Sequence, residues 1–166
     1  MRRFLILYAI TILCLSGCTE TGKGTSVEVS PNLEPVIVTL RGAYAAFNRG
    51  DIDAAVEPLD AQIEWTEPAE FPGGGTYHGR EGAKHYLTQS RAAWAEVNSE
   101  PERFITASDR IVVFVHARVR PKDSNEWQEV NLADVYTVRN GKIIAMRAFA
   151  DRQEALRWVG VEKPDR

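Results

Sequence analysis

The chain has 166 residues, of which 44% are apolar and 26% are charged, with 20 basic against 23 acidic side chains. This length and apolar fraction suit one domain of ordinary size with a packed core, which excludes a largely disordered chain. The slight negative charge excludes the basic surface of a nucleic-acid-binding protein, and two cysteines are too few for a disulfide-rich scaffold.

The residues 1–17 are predicted to be a secretory signal peptide. Met1-Arg2-Arg3 is a short basic segment, and the apolar run 4–15 that follows is too short to span a bilayer, which takes about twenty residues. Leu15-Ser16-Gly17-Cys18 then resembles a bacterial lipobox. The resemblance implies that Cys18 becomes the first residue, carries lipid and anchors the protein to a membrane.

The segment 18–32 is predicted to be a flexible tether, because it is polar, is rich in Gly, Ser and Thr and has no helical apolar stripe. We expect the protein in the bacterial cell envelope, facing the periplasm or the exterior. Thr19 follows the cysteine where an aspartate often retains lipoproteins in the inner membrane of diderm bacteria, so the outer membrane is favoured. The domain itself is expected over 33–160, with a tail over 161–166.

The first half of the domain is predicted to be mainly helical. A first helix has Asn32 as its candidate N-cap and ends at Gly50. Asp51 can cap a short second helix that stops near Pro58, and a third helix follows Gly79. The residues at helical spacing are Ile37, Leu40, Tyr44 and Phe47 in the first helix and Ala83, Leu87, Ser90 and Trp94 in the third.

Strands and loops are predicted for the rest of the domain. Residues 61–67 alternate between two faces, with Trp65 and Glu67 on the same one, and the stretch 68–75, rich in Pro and Gly, is expected to be an irregular loop. Four further strands are predicted over 103–108, 110–120, 127–139 and 142–150. The Asn-Gly pair at 140–141 indicates a hairpin, and a short C-terminal helix follows the last strand.

Helices followed by an antiparallel meander indicate an α+β domain. Five short motifs occur in order: Asn48-Arg49-Gly50-Asp51, Asp60-Ala61, Tyr77-His78-Gly79-Arg80-Glu81, Asn140-Gly141-Lys142-Ile143 and Arg147-Ala148-Phe149. Over about residues 34–158 the chain thereby resembles the nuclear transport factor 2-like superfamily, specifically its SnoaL-like and ketosteroid-isomerase-like branch. The resemblance implies a cone-shaped, curved antiparallel sheet with three N-terminal helices on its concave face and a short C-terminal helix. It also implies a deep apolar pocket and a homodimer.

Ketosteroid isomerases use an aspartate base, a tyrosine donor and a protonated aspartic acid. The resemblance places the protonated acid on Asp134, counting back from the hairpin. The base position falls on Trp65, and the tyrosine position falls on Ala43, with Tyr44 about 100° further around the helix. One of three groups is retained, which disfavours steroid isomerisation by that mechanism.

Asp134 interrupts an otherwise apolar strand face. Its neighbours on that face are Val130, Leu132, Tyr136 and Val138. Burial favours the neutral acid, which could donate a hydrogen bond to a ligand oxygen or act as a general acid. The alternative is a structural carboxylate paired with Arg147 on the adjacent strand, and both interpretations remain open.

Two further side chains are candidates for acid–base chemistry. Glu67 could replace the missing base, although a solvated acid at a strand end is the preferred interpretation. His78, at a loop-to-helix junction, could be an acid, a base or a ligand-orienting donor, and its alternative is a partly exposed loop residue. The three histidines have no metal-ligand spacing, so we expect neither a metal nor a cofactor.

The pocket wall is expected to be largely aromatic. Its candidate ligand-binding residues are Tyr44, Phe47, Trp65, Tyr77, Tyr86, Trp94, Tyr136 and Phe149. Such a pocket favours the binding of a small, largely apolar molecule. The alternatives are an acid/base enzyme of isomerase, cyclase or dehydratase type, using Asp134 with His78 or Glu67 on a carbonyl compound, and a non-catalytic interaction module of the envelope.

Overall fold

The computed structural model describes residues 32–161. In order, they form α1 (Glu34–Asn48), α2 (Ile52–Val56), β1 (Leu59–Glu67), β2 (Gly75–His78), α3 (Gly79–Ala92), β3 (Glu96–Ala107), β4 (Arg110–Arg120), β5 (Gln128–Arg139), β6 (Lys142–Phe149) and α4 (Arg152–Trp158). The predicted signal peptide, Cys18 and nearly all of the tether lie outside the described residues, as does the tail beyond 161. Within the described part of the chain, no helix is long and apolar enough to cross a membrane.

The strands form one curved, open sheet in the order β2-β1-β6-β5-β4-β3. The three adjacent pairs from β3 to β6 are antiparallel, as expected for a meander joined by short turns. The α+β fold class is confirmed. One pair departs from a purely antiparallel sheet, since β1 lies parallel to β6. A long stretch of chain separates these two strands, so no hairpin dictates their relative direction.

At the starts of α1 and α2, a polar side chain accepts a hydrogen bond from a backbone N–H of the first turn. The Asp51 carboxylate accepts a hydrogen bond from the Ala54 backbone N–H at 3.1 Å, which confirms it as the cap of α2. At α1 the N-cap is Leu33, and Asn32 acts from one residue further out by accepting from the Glu34 N–H at 3.2 Å. Gly50, with φ of 84°, supplies the left-handed conformation that separates α1 from α2.

Two strands differ from the sequence prediction. The four-residue strand β2 has no counterpart in the prediction, in which an irregular loop ends at 75 and a helix follows Gly79; it forms because its residues pair with the end of β1. The strand β3 begins at Glu96, seven residues before the predicted start at 103. Its first half is mostly polar and contains Pro101, and a register shift between Pro101 and Arg103 accommodates a residue that cannot donate to the ladder. Pairing with β4, rather than local pattern, therefore extends this strand.

Apolar clusters cover both faces of the sheet. The helices α1–α3 pack on the pocket face, where Leu40, Ile63 and Val113 belong to the larger cluster. The helix α4 packs on the outer face, where Val135 and Leu156 belong to a second cluster. Alternation along each strand sends successive side chains into one cluster or the other. The pocket face is the one that carries the candidate site.

Candidate functional site

A cavity of about 310 Å³ lies between α1–α3 and the pocket face of the sheet. Its wall is mostly apolar, and seven of its residues are aromatic: Tyr44, Phe47, Trp65, Phe71, Tyr86, Trp94 and Tyr136. Among the described residues that line it, the charged ones are Glu67 and Asp134, and none is Lys, Arg or His. The cavity thus holds two carboxyl groups in an aromatic enclosure.

Asp134 is held in the cavity by the strand β5, between Val113 of β4 and Ala148 of β6. The Tyr44 hydroxyl donates to its Oδ2 at 2.5 Å, and the Tyr136 hydroxyl donates to the Tyr44 oxygen at 3.0 Å. Burial raises the pKa of Asp134 to about 6, although the two tyrosine hydroxyls act to lower it. The pKa is raised, as the sequence predicts. Because it reaches only about 6, the carboxyl is still mostly ionised at pH 7.

Arg147 does not pair with Asp134. It lies opposite Val135 in the β5–β6 ladder, one residue out of step with Asp134, so it projects from the outer face. There it is exposed, and its guanidinium lies 5.8 Å from the centre of the Trp158 ring. The salt-bridge interpretation of Asp134 is therefore wrong.

Tyr44 provides the phenol that the sequence count placed at Ala43. Both residues line the cavity, and the longer side chain of Tyr44 brings its hydroxyl to Asp134. Burial and the Asp134 charge raise the pKa of Tyr44 well above its ordinary value, so this hydroxyl stays protonated as a donor. The tyrosine donor and the aspartic acid are therefore both present. Two of the three groups are retained, and the predicted count of one is wrong.

Glu67 is buried, with 8% of its surface exposed. The Trp65 indole N–H donates to its Oε1 at 2.8 Å, and the Tyr86 hydroxyl also bonds to the carboxyl. Burial, followed by the nearby Asp134 charge, raises the pKa of Glu67 to about 8 in spite of these donors. The preferred interpretation of Glu67 as a solvated acid is wrong.

The loop between β1 and β2 contributes to the same cavity wall as Glu67. It folds back beside the end of β1, and Phe71 and Pro72 from this loop line the cavity. The Tyr77 hydroxyl donates to the Gly73 carbonyl at 2.5 Å and ties the loop to β2. The end of the strand is therefore not at the molecular surface.

Three predicted site residues lie outside the cavity wall. His78 is exposed at the end of the edge strand β2, opposite Glu64, which removes it from the acid–base set. The Tyr77 ring packs behind the wall, 5.0 Å from the Tyr86 ring. Phe149 belongs to the cluster of the outer face, 5.7 Å from the Trp158 ring. It follows Ala148, which faces the pocket, so strand alternation turns it away.

The remaining predicted aromatic residues all line the cavity. Sequence reasoning missed Phe71, because a loop carries no periodicity that would assign its side chain to a face. It also missed Val97 and Ser99, which line the cavity from the unpredicted first half of β3. Over residues 32–161, no group of three or more His, Cys, Asp or Glu side chains is placed to hold a metal ion.

An α+β cone whose helices cover an apolar cavity on the inner face of a curved sheet defines the nuclear transport factor 2-like class. A family model described as a SnoaL-like domain matches residues 40–146. The chain therefore belongs to the SnoaL-like family. No curated protein is similar enough to the chain to be matched.

Solved structures of the same fold are similar to the chain. TerC, co-crystallized with polyporic acid, is 25% identical, with a TM-score of 0.64 over 75% of this chain and 98% of that chain. An NTF2-like protein of unknown function from Burkholderia pseudomallei is 26% identical, with a TM-score of 0.63 over 75% of this chain and 96% of that chain. The epoxide hydrolase/cyclase-like enzyme SalBIII is 24% identical, with a TM-score of 0.59 over 71% of this chain and 92% of that chain. At this identity the likeness shows a shared fold.

Proposed function

We propose that this protein is a lipid-anchored binding protein of the bacterial cell envelope, which holds a small, largely apolar molecule in its cavity. One observation carries the proposal: a cavity of about 310 Å³ with an aromatic wall and few polar groups. That size and lining are typical of small-molecule sites. The co-crystallization of TerC with polyporic acid supports a ligand-binding use of this fold.

Native mass spectrometry of the purified protein tests the binding of a small molecule. Ala43 lines the cavity, whereas Ala45 is on the exposed side of the same helix. We expect an additional bound mass in the parent and in Ala45→Trp, but not in Ala43→Trp, where the indole occupies the space of the ligand. A parent that carries no small molecule and binds none from a panel of apolar compounds would favour an interaction module instead.

Acid/base catalysis on a carbonyl compound is the second candidate function. Two carboxyl groups share one cavity, and their pKa values are raised to different levels, to about 6 for Asp134 and to about 8 for Glu67. Near neutral pH the first serves as a base and the second as an acid. This function predicts turnover with a plateau between about pH 6 and 8 and its loss in both Asp134→Asn and Glu67→Gln.

Pairing into a homodimer is a further part of the proposal. The β4 side chains His116, Arg118 and Arg120 alternate with residues that line the cavity and so lie on the outer face of the sheet, which could meet a second copy. A two-fold interface would bury the same patch on both copies. Sedimentation equilibrium should give twice the mass of one chain, and a single-chain mass over a wide concentration range would contradict the dimer.

A further inference from the structure

The donors and acceptors of the cavity restrict what a ligand can offer. A phenol or an indole has one polar proton. The Tyr44 proton is donated to Asp134, the Tyr136 proton to Tyr44, and the Trp65 proton to Glu67. The Tyr86 hydroxyl bonds to Glu67 as well. These donors are committed within the wall. The other polar side chains of the lining are Ser90, Trp94, Ser99 and Gln128, so the Asp134 carboxylate is the strongest acceptor left for a ligand.

The charges of the cavity are also unbalanced. Around Asp134 on β5, the titratable groups facing the cavity are Tyr44 from α1, Glu67 from β1, Tyr86 from α3 and Tyr136 from β5 itself. The lining residues of β3 and β4 do not ionise, and no described lining residue is basic. A carboxylate enclosed without a cation is costly, and a bound cation would offset that cost.

The wall has the composition that attracts an organic cation. Seven aromatic residues line the same cavity as the two carboxyl groups. The face of an aromatic ring carries negative potential, and a cation within about 6 Å of the ring centre gains attraction, most of all in an enclosed site. An apolar body would pack against the same rings, so the cavity suits a cationic head on an apolar ligand.

From these observations we infer that the ligand is a small organic cation, an apolar molecule that carries a protonated amine or a quaternary ammonium group beside Asp134 and Glu67. The inference rests on the proposed function, since it names the chemical class of the molecule in the same cavity. The Asp134 carboxylate neutralises the head, the Glu67 carboxyl lies in the same wall, and the aromatic side chains cover the body.

Two probes of nearly the same shape test the inference by calorimetry on the full chain. Phenyltrimethylammonium carries a permanent charge, and tert-butylbenzene is its neutral counterpart. At pH 7.5 we expect the cation to bind at least about tenfold more tightly than the neutral probe. The advantage should shrink towards pH 5, since the probe does not titrate while Asp134 takes up its proton between these two pH values.

Variants show which carboxyl attracts the cation. At pH 7.5 Asp134→Asn should reduce the preference for the cation more than Glu67→Gln, because Asp134 is the group that is mostly ionised at this pH. Glu64→Gln, an exposed position on the same strand as Glu67, should keep the preference. If a cavity variant does not fold, the pH dependence of the parent decides. Equal or tighter binding of tert-butylbenzene at pH 7.5 would overturn the cation inference and leave the proposed binding function standing. Binding of neither probe would count against both.

Discussion

At Glu67, burial and hydrogen bonding act on the carboxyl in opposite directions. The Trp65 and Tyr86 donors favour the ionised form, but removal from water and the Asp134 charge outweigh them, so the pKa rises to about 8. At Asp134, burial raises the pKa while the hydroxyls of two tyrosines lower it, so the pKa reaches only about 6. The neutral acid of this cavity at pH 7 is therefore Glu67, and the carboxylate is Asp134.

Replacing Glu67 by Gln should remove a pH dependence of stability. The native state holds the Glu67 proton up to about pH 8, whereas the ordinary value is 4.5. Between these values the native state binds more protons than the unfolded state, so the unfolding free energy falls as pH rises, by at most about 1.4 kcal/mol per pH unit from this group. Urea unfolding between pH 6 and 8 should show this slope in the parent and lose it in Glu67→Gln.

The exposed Glu64 on the same strand provides the matched control. Glu64→Gln should keep the slope of the parent, because this side chain is exposed and lies outside the cavity. A parent whose stability rises from pH 6 to 8 would contradict the raised pKa of Glu67. If Glu67→Gln kept the same change of unfolding free energy with pH, another group would have to cause that change.

Replacing Asp134 by Asn should be tolerated at neutral pH. The amide oxygen still accepts from the Tyr44 hydroxyl, and the cost of an ionised group in the cavity disappears. Raising the pKa from 3.8 to about 6 is equivalent to about 3 kcal/mol, which is the upper limit of the expected gain. Thermal unfolding at pH 7 and NMR titration of the carboxyl check this result. A depressed carboxyl pKa with a destabilised variant would contradict it.

At the scale of elements, the loop between β1 and β2 adds two residues to the cavity wall. Gly73 adopts φ of 75°, which favours glycine, and a Cβ at Gly74 would overlap the Pro68 carbonyl. The two glycines therefore allow the tight turn by which Phe71 and Pro72 reach the cavity.

The helix α4 stabilises the outer face without contributing to the cavity. Leu156 is 1% exposed and belongs to the cluster of that face. Leu156→Ala should lower the unfolding free energy by about 2–5 kcal/mol while ligand binding by the folded variant stays unchanged. Chemical unfolding measures the first effect, and calorimetry measures the second.

Arg157 on the same helix supplies a control for Leu156→Ala. Its guanidinium is largely exposed and lies 3.6 Å from the Asp151 carboxylate. Such a surface pair contributes little, so Arg157→Ala should change the unfolding free energy by no more than about 1 kcal/mol. Loss of binding in a folded Leu156→Ala protein would show that the two faces of the sheet are coupled.

At the scale of the whole molecule, Cys18 should attach the domain to a membrane. Its place after a short apolar run predicts lipidation, and acyl chains hold a protein at a bilayer by about 0.8 kcal/mol per buried methylene. In cells fed a fatty-acid analogue, the parent should be labelled and recovered with membranes, whereas Cys18→Ser should lose both properties. Cys14→Ser should keep both, because Cys14 lies in the predicted signal peptide. Persistent labelling of Cys18→Ser would contradict the anchor.

The sequence by itself determined the elements whose signals are local. Helical spacing placed α1 and α3, the Asp51 cap placed α2, and the Asn-Gly pair placed the β5–β6 hairpin. Strand alternation put Asp134 and Tyr136 on the pocket face, and the order of short motifs led to the family that matches residues 40–146. Each of these signals depends on neighbours along the chain, so no knowledge of the packed fold was needed.

Tertiary structure alone decided the state of the site. Glu67 is buried beside side chains of other elements, Tyr86 of α3 and Asp134 of β5, and the hydrogen bond from Tyr44 to Asp134 joins residues ninety positions apart. The outward direction of Arg147 depends on the register between two strands, where a shift of one residue exchanges the faces. A pKa depends on desolvation and on charges brought together in space, and the spacing of residues along the chain predicts neither.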